Sequence, residues 1–396
     1  MPMTSHDIVL LSTADWDNPF WTNKQHVAAE LARRGNRVLY IDSLGLRRPS
    51  VSNRDFKRLV GRLRRTLLAS REVRPGLWVW SPVIIPLQAS PLARHMNLRL
   101  LQQGLYRRLR ALRMRPEWLW TYNPLTSRLL SLPSFDRCIY HCVDEIAAQP
   151  GMPAALLKSA ETELTRAADI VFATSQSLTE SRRRWNDRTY YLPNVADYDH
   201  FSSALSAGTA VPQDLARISE PRIGFIGAIS GYKIDFGLIR AMACARPDWS
   251  IVLIGSVGEG DPWTDIGELR GLPNIHLLGP RPYAELPAYL KGFKVAMLPN
   301  RINAYTDAMF PMKLFEYLAS GCPVVSVNLT ALSDYSDVIC VARSTDEFIS
   351  KTAAVLAGDA PPLSVRLAIA QRHTYATRTH RMLSLIEHLP PSRTGD

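Results

Sequence analysis

The chain has 396 residues, 46% apolar and 21% charged, with five cysteines and a formal net charge of +11. That balance excludes a disordered or fibrous protein, and the length predicts two domains of roughly 200 residues each. The odd cysteine count, without a C-x-x-C pair or a Cys/His ligand spacing, argues against a disulfide scaffold or a structural zinc site, and no apolar run approaches the roughly 18 residues of a membrane-spanning helix. The charge is uneven: residues 1–195 carry 29 Lys and Arg against 16 Asp and Glu, and residues 196–396 carry 18 against 20. The basic half is expected to meet something anionic. The start, "MPMTSHDIVLLS", has no basic n-region and enters a strand pattern directly, so a signal peptide is not expected and a cytoplasmic protein with reduced thiols is.

In chain order, "DIVLLS" (7–12) predicts a buried strand, "TNKQHVAAELARRG" a helix ending at Gly35, and "RVLYID" (37–42) the next strand. Further strands are predicted at 77–82, 117–122, 136–143 and 169–174, with helical patterns between most of them. Continuous apolar strands alternating with helices imply a parallel sheet covered on both faces. Residues 196–220, rich in Ser, Ala, Asp and Pro, are expected as a linker. The alternation restarts with strands at 222–227, 250–255, 275–279, 293–299, 323–327 and 338–342, and "TYATRTHRMLSLIEHL" (374–389) predicts a final amphipathic helix. The expectation is an α/β protein of two doubly wound domains facing a cleft, residues 1–195 and 221–375, with residues 376–396 packing back toward the first. Interdomain clefts and the carboxyl ends of such strands are favoured ligand sites.

One segment, "DAMFPMKLFEYLASGCPVV" (307–325), places a lysine in the first turn of a short helix, against the positive end of its dipole. Pro311 pre-sets the turn, and the free N–H groups there form an anion site, so Lys313 is favourable if a phosphate bridges it and the helix. Glu316 follows on the same face, where its carboxylate would accept hydrogen bonds from ribose hydroxyls. The competing reading is an exposed Lys–Glu pair on an ordinary helix.

"PMKLFEYLASGCPVV" resembles the donor-site segment of the group 1 (family 4-like) glycosyltransferases of the GT-B fold, of the bacterial surface-polysaccharide type. "IGFIGAIS" (223–230), "NIHLLGPRPYAELPAYL" (274–290), "LPNVADYDHF" (192–201) and the last helix resemble the matching parts of that family, specifically over about 170–390. Residues 12–45 are similar to the start of such enzymes. The resemblance implies a nucleotide-diphosphate sugar as donor, a UDP-sugar or a GDP-sugar, and no other cofactor. It implies that Glu316 contacts ribose, that the N–H groups from Phe310 through Pro311 and Met312 to Lys313 hold the diphosphate or sugar, and that Gly227 permits close backbone approach. The turn Gly279-Pro280-Arg281 would hold the base through main-chain groups, and Ser256 is a ribose or base candidate. Two positions depart from the family. Ala308 stands where relatives often carry a second glutamate, with Asp307 and Thr306 beside it as candidates for the donor sugar. Ala228 stands in place of the arginine of an Arg–Lys pair, which leaves Lys233 as the nearby cation.

"IYHCVDEI" (139–146) leaves a strand end, and His141 and Asp144 are candidates for the acceptor hydroxyl. Asp144 is the general base if the reaction inverts; if it retains, it orients substrates. The competing reading is an Asp that caps the next helix and a His in a strand. "DWDNPF" (15–20) and "DYD" (197–199) match the three-residue D-x-D metal pattern, but neither lies where that motif is used. Asp15 and Asn18 are therefore assigned to structure or acceptor contact, and no metal is expected.

"NRDFKRLVGRLRRTLLAS" (53–70) puts Phe56, Leu59, Val60, Leu63 and Leu67 on one helical face with Arg and Lys around them, and residues 93–115 form a second basic–apolar stretch. The expectation is attachment to an anionic membrane surface, at the inner face of the plasma membrane, where a saccharide or polyprenyl-linked acceptor is presented. A packed helix with a solvated face is the alternative. No nucleic-acid module pattern appears. The leading reading is thus a metal-independent, retaining glycosyltransferase of surface polysaccharide synthesis. The alternatives are a nucleotide-sugar epimerase on the same fold or an inactive nucleotide-sugar-binding partner.

Overall fold

A computed structural model describes residues 5–18, 21–44, 70–82, 91–130, 135–259, 261 and 263–390. The chain divides into two compact units, Met1–Leu192 with Thr379–Asp396, and Pro193–Arg378.

The first unit holds β1 (Asp7–Leu11), β2 (Arg37–Ile41), β3 (Arg71–Arg74), β4 (Leu77–Trp80), β5 (Trp118–Thr121), β6 (Arg137–Cys142), β7 (Ile170–Ala173) and β8 (Thr189–Tyr191), in the sheet order β3-β4-β2-β1-β5-β6-β7-β8. All pairings are parallel except the β3–β4 hairpin. Ile8 to Leu11 have no exposed surface, and the residues facing them on β2 and β5 are all buried, which is why β1 reads as an unbroken apolar run. The helix Asn23–Arg33 begins where the Gln25 carboxamide accepts from the Thr22 N–H at 3.0 Å, and it ends at Gly35, whose φ of +88° only glycine adopts without strain. Strands β3 and β8 escape the hydrophobic pattern. The first is a charged edge strand, "REVR", and the second has only three residues at the other edge.

The second unit holds β9 (Arg222–Ile226), β10 (Ser250–Ile254), β11 (Ile275–Leu277), β12 (Val295–Leu298), β13 (Val324–Val327) and β14 (Cys340–Ala342), all parallel, in the order β11-β10-β9-β12-β13-β14. Numbered within the unit this is the 3-2-1-4-5-6 order of dinucleotide-binding sheets, which reverses between β9 and β12.

Residues 196–220, expected as a linker, instead fold onto the second unit. Asp197 caps the helix Tyr198–Ser202 by accepting from the His200 N–H, and Phe201 is 1% exposed. The helix Gln213–Ala216 inserts Leu215, 0% exposed, against Gly292, where a Cβ would lie 2.4 Å from Leu215 Cδ2. Short helices of one or two turns, each held by a single apolar residue, leave no period in the sequence. The helix Tyr375–Glu387 starts in the second unit, and from Thr379 onward it belongs to the first.

Candidate functional site

The order reversal in the second sheet brings together the loops that follow β9 and β12. The Asp235 N–H donates to the Pro299 carbonyl at 2.9 Å, the Arg301 N–H to Lys233 at 2.8 Å, and the Asn303 amide to Tyr232 at 2.7 Å. Lys233 sits in this seam, half-buried, its ammonium 5.2 Å from the Tyr232 ring centroid and 5.5 Å from that of Tyr305. Two ring faces hold the cation at the sheet's carboxyl edge without neutralising it.

The end of β10 closes against the same edge. Gly255 has a φ of +153°, and a Cβ there would lie 1.8 Å from the Gly227 carbonyl oxygen. The Gly227 N–H donates to Ile254 at 2.9 Å, and the Gly255 N–H to Gly279 at 3.1 Å. Gly227 therefore packs against backbone, and Gly255 is the residue that makes this approach possible. The Ser256 carbonyl accepts from the Ile229 N–H at 3.0 Å. The Arg281 guanidinium donates to Asp214 at 2.7 Å and to the Tyr289 hydroxyl at 2.6 Å. Its side chain is thus committed to packing, and only its main chain remains for a base.

Phe310 has no exposed surface and stacks on Phe315 at 5.5 Å, so only its backbone lines the turn before the helix Lys313–Ala319. Its carbonyl accepts the Asn194 amide at 2.6 Å, a tie between residues 116 positions apart. Pro311 is buried, and Met312 and Lys313 are half-buried. The Lys313 ammonium reaches the Glu316 carboxylate at 2.8 Å. Glu316 is 4% exposed, and its charge, after burial itself, helps hold the Tyr283 phenol well above its ordinary pKa, with Tyr375 and Asp197 adding to the effect. The expected alternatives to the missing glutamate are taken. Thr306 is fully buried and closes the cap of the helix Ala304–Asp307 on Asn303, and the Asp307 carboxylate accepts from the Thr330 hydroxyl at 2.6 Å. Ala308 is buried.

In the first unit His141 departs from expectation. It has no exposed surface and stacks on Tyr122 at 4.8 Å, with Trp120 and Phe172 about it. It is a core residue, because the alternation of β6 turns it into the sheet's aromatic layer. Asp144 lies half-buried just past β6. The neighbouring Glu145 is pinned by Arg182 at 2.8 Å, and Arg182 also holds Glu161 at 2.7 Å. This buried network fixes the turn that carries Asp144; nothing in the sequence signals it, since its members lie on three separate elements.

Asp15 and Asn18 are half-buried in the loop after β1, where this sheet's order also reverses, and the Asn18 N–H donates to the Asp15 carbonyl at 3.1 Å. Asp17 is paired with Arg71. Beneath the loop Asp42 accepts from the Trp16 N–H at 2.7 Å and bonds Ser81. Burial pushes the Asp42 carboxyl up to about 6, against the lowering effect of these bonds and helped by the charges of Asp15 and Asp17. Of the two basic segments, residues 53–69 lie outside the described residues.

Residues 220–358 match the family model described as Glycosyl transferases group 1. The match lies wholly within the second unit, so that unit is similar to a group 1 glycosyltransferase domain. Over 229 residues the chain is 33% identical to TuaH of Bacillus subtilis (strain 168), named as a teichuronic acid biosynthesis glycosyltransferase; the match spans 54% of this chain and 56% of TuaH. Two solved structures share its fold. Sucrose-phosphate synthase from Thermosynechococcus elongatus has a TM-score of 0.66 at 15% identity, over 97% of this chain and 99% of its own. HepE of Anabaena, in complex with UDP, has a TM-score of 0.65 at 16% identity, over 97% and 100%. The fold is GT-B, with two parallel-sheet, Rossmann-like domains. The matched residues include both loops of the β9–β12 reversal and the whole Phe310–Glu316 segment.

Proposed function

We propose that this chain transfers a sugar from a UDP-sugar to a saccharide or polyprenyl-linked acceptor in cell-surface polysaccharide synthesis, with retention and without a required metal. The observation that carries the reading is that the group 1 glycosyltransferase match falls on a sheet whose order reverses between β9 and β12, with Lys233, Lys313 and Glu316 at its carboxyl edge. A diphosphate would rest on the turn Phe310–Lys313, with Lys233 and Lys313 as its cations, and ribose would be held by Glu316. The fold's occurrence with UDP in HepE and the relative TuaH support the donor and the pathway class.

Asp144 orients the acceptor in this reading, and the donor phosphate takes the proton of the attacking hydroxyl. The chain works in the cytoplasm at an anionic membrane surface, which the basic first half supports; no helix among the described residues is long and apolar enough to cross a membrane.

A second reading, an inactive nucleotide-sugar binder, is favoured by Ala308, Ala228 and the engagement of Asp307 with Thr330. Incubation of the purified chain with a panel of UDP- and GDP-sugars, with release of the nucleotide diphosphate measured with and without saccharide acceptors, separates the two. Release with UDP-sugars that rises with acceptor, and that EDTA leaves unchanged, is expected. Binding of UDP without release under any acceptor establishes the binder, and interconversion of the donor sugar establishes the epimerase.

A further inference from the structure

Residues 278–282 lie between the end of β11 at Leu277 and a single helical turn that begins at Tyr283. Their shape is set from the segment 196–220. The Arg281 guanidinium curls back on its own turn, donating to the Leu278 carbonyl at 2.5 Å and the Pro280 carbonyl at 3.1 Å, while Asp214 accepts from it at 2.7 Å. The Tyr289 hydroxyl closes the group, accepting from Arg281 at 2.6 Å and donating to Asp214 at 2.9 Å. Past the turn, the His200 ring lies flat on that of Tyr283, with 4.3 Å between centroids and 12° between planes, and its Nε2–H donates to the Tyr283 carbonyl at 2.9 Å. Gly279, at a φ of +74°, gives its carbonyl to the Gly255 N–H at 3.1 Å. The carbonyls of Leu278, Gly279 and Pro280 are therefore all engaged. The Asp214 side chain is 39% exposed and that of Arg281 24%. An ion pair so open to water adds little to stability, and its main consequence is the shape of the turn.

We infer that Asp214 and His200 are positioning residues that set the selectivity of this turn for uracil over a purine base. The inference rests on the UDP-sugar reading proposed above, with the base at residues 279–281, and names what holds that turn in shape. A base met by main-chain groups alone needs the turn already in its bound form, because ordering it on binding would cost affinity. Asp214 holds the guanidinium that covers two of the turn's carbonyls, and His200 anchors the chain where it leaves the turn. Both come from the segment between the two sheets, so neither touches the base; each acts through a residue that flanks it, Arg281 or Tyr283. A fixed turn fits one size of base, and a loosened one admits the larger base at a smaller penalty.

Isothermal titration of the full chain with UDP and with GDP tests this. The wild type is expected to prefer UDP. Asp214→Ala and His200→Ala should each weaken UDP about tenfold, the loss of one hydrogen bond to the base, and weaken GDP less, so that the preference narrows. Asp214→Asn, which keeps an oxygen for Arg281 and Tyr289, should recover most of the UDP affinity. Leu215→Val, which thins the packing of the helix that carries Asp214 without removing any of these bonds, should lower the melting temperature and leave the ratio of UDP to GDP affinity unchanged. Weakening of both nucleotides by the same factor in the alanine variants marks a general structural role and overturns the inference. Unchanged UDP affinity in both alanine variants overturns it as well, with the UDP reading intact. A wild type with no preference for UDP over GDP overturns the UDP reading and the inference with it.

Discussion

Lys313 extends its ammonium to within 2.8 Å of the Glu316 carboxylate, and the glutamate side chain is 6% exposed while the lysine's is 27% exposed. An exposed pair of this spacing contributes only a few tenths of a kcal/mol. Here one partner is buried, so the lysine compensates a carboxylate that is largely removed from water. With a diphosphate on the preceding turn, the lysine would share its charge between two anions.

Lys313→Ala should weaken UDP binding about tenfold, the loss of one charge-assisted hydrogen bond of roughly 1.5 kcal/mol. Glu316→Gln should weaken it comparably, and uridine should feel that change as much as UDP does. Isothermal titration with both ligands checks this; unchanged UDP affinity in Lys313→Ala refutes a phosphate at the turn.

Asp144→Asn should raise the acceptor KM and leave kcat within about tenfold, because an orienting carboxylate is not consumed in a retaining step. A fall of roughly 10²–10⁴ in kcat at unchanged KM would mark Asp144 as the general base of an inverting enzyme. Steady-state kinetics with the product anomer determined by NMR separates these outcomes.

Asp42 makes the first unit's stability depend on pH. Burial raises its folded pKa from 3.8 to about 6, so the folded state binds the proton more tightly than the unfolded chain does. The sign follows: stability is full below pH 4 and is lost as pH rises through 6, by about 3 kcal/mol at most. Asp42→Asn keeps the shape and an acceptor for the Trp16 N–H, so urea unfolding of the variant should lose this slope and gain stability at pH 7. Parallel profiles from pH 4 to 7 for both proteins would contradict the assignment.

Gly255→Ala should destabilise the second unit by about 3 kcal/mol or more, since the added Cβ would lie 1.8 Å from a backbone oxygen that cannot move aside. Gly271→Ala, at a φ of +77° in open space, is the control and should cost only about 1 kcal/mol. Thermal unfolding of both variants measures the difference; similar shifts would mean that the backbone approach between β9 and β10 relaxes at little cost.

Much of the fold was legible because its strands are apolar on both faces, which writes them as runs such as "DIVLL" and "SIVLI". The strands that were missed carry no such run. The segment at 196–220 read as a linker because single anchors, Phe201 and Leu215, hold its short helices. At the candidate site, the Lys313–Glu316 spacing was readable as a helical neighbour pair. The Asn194 bond to Phe310, the commitment of Arg281 to Asp214 and the burial of His141 were not.

The sequence by itself determined the alternation of strands and helices, the charge asymmetry between the halves and the helix start at Pro311–Lys313. These depend on local periodicity and on residue type. Only the tertiary structure decided which candidates keep their side chains for a ligand. Thr306 and Asp307 are spent on a cap and on Thr330, and Lys233 is held between two tyrosines from different loops. The physical reason is that a polar side chain's partner is chosen by distance in space, and the sheet's order, not the chain's, sets that distance.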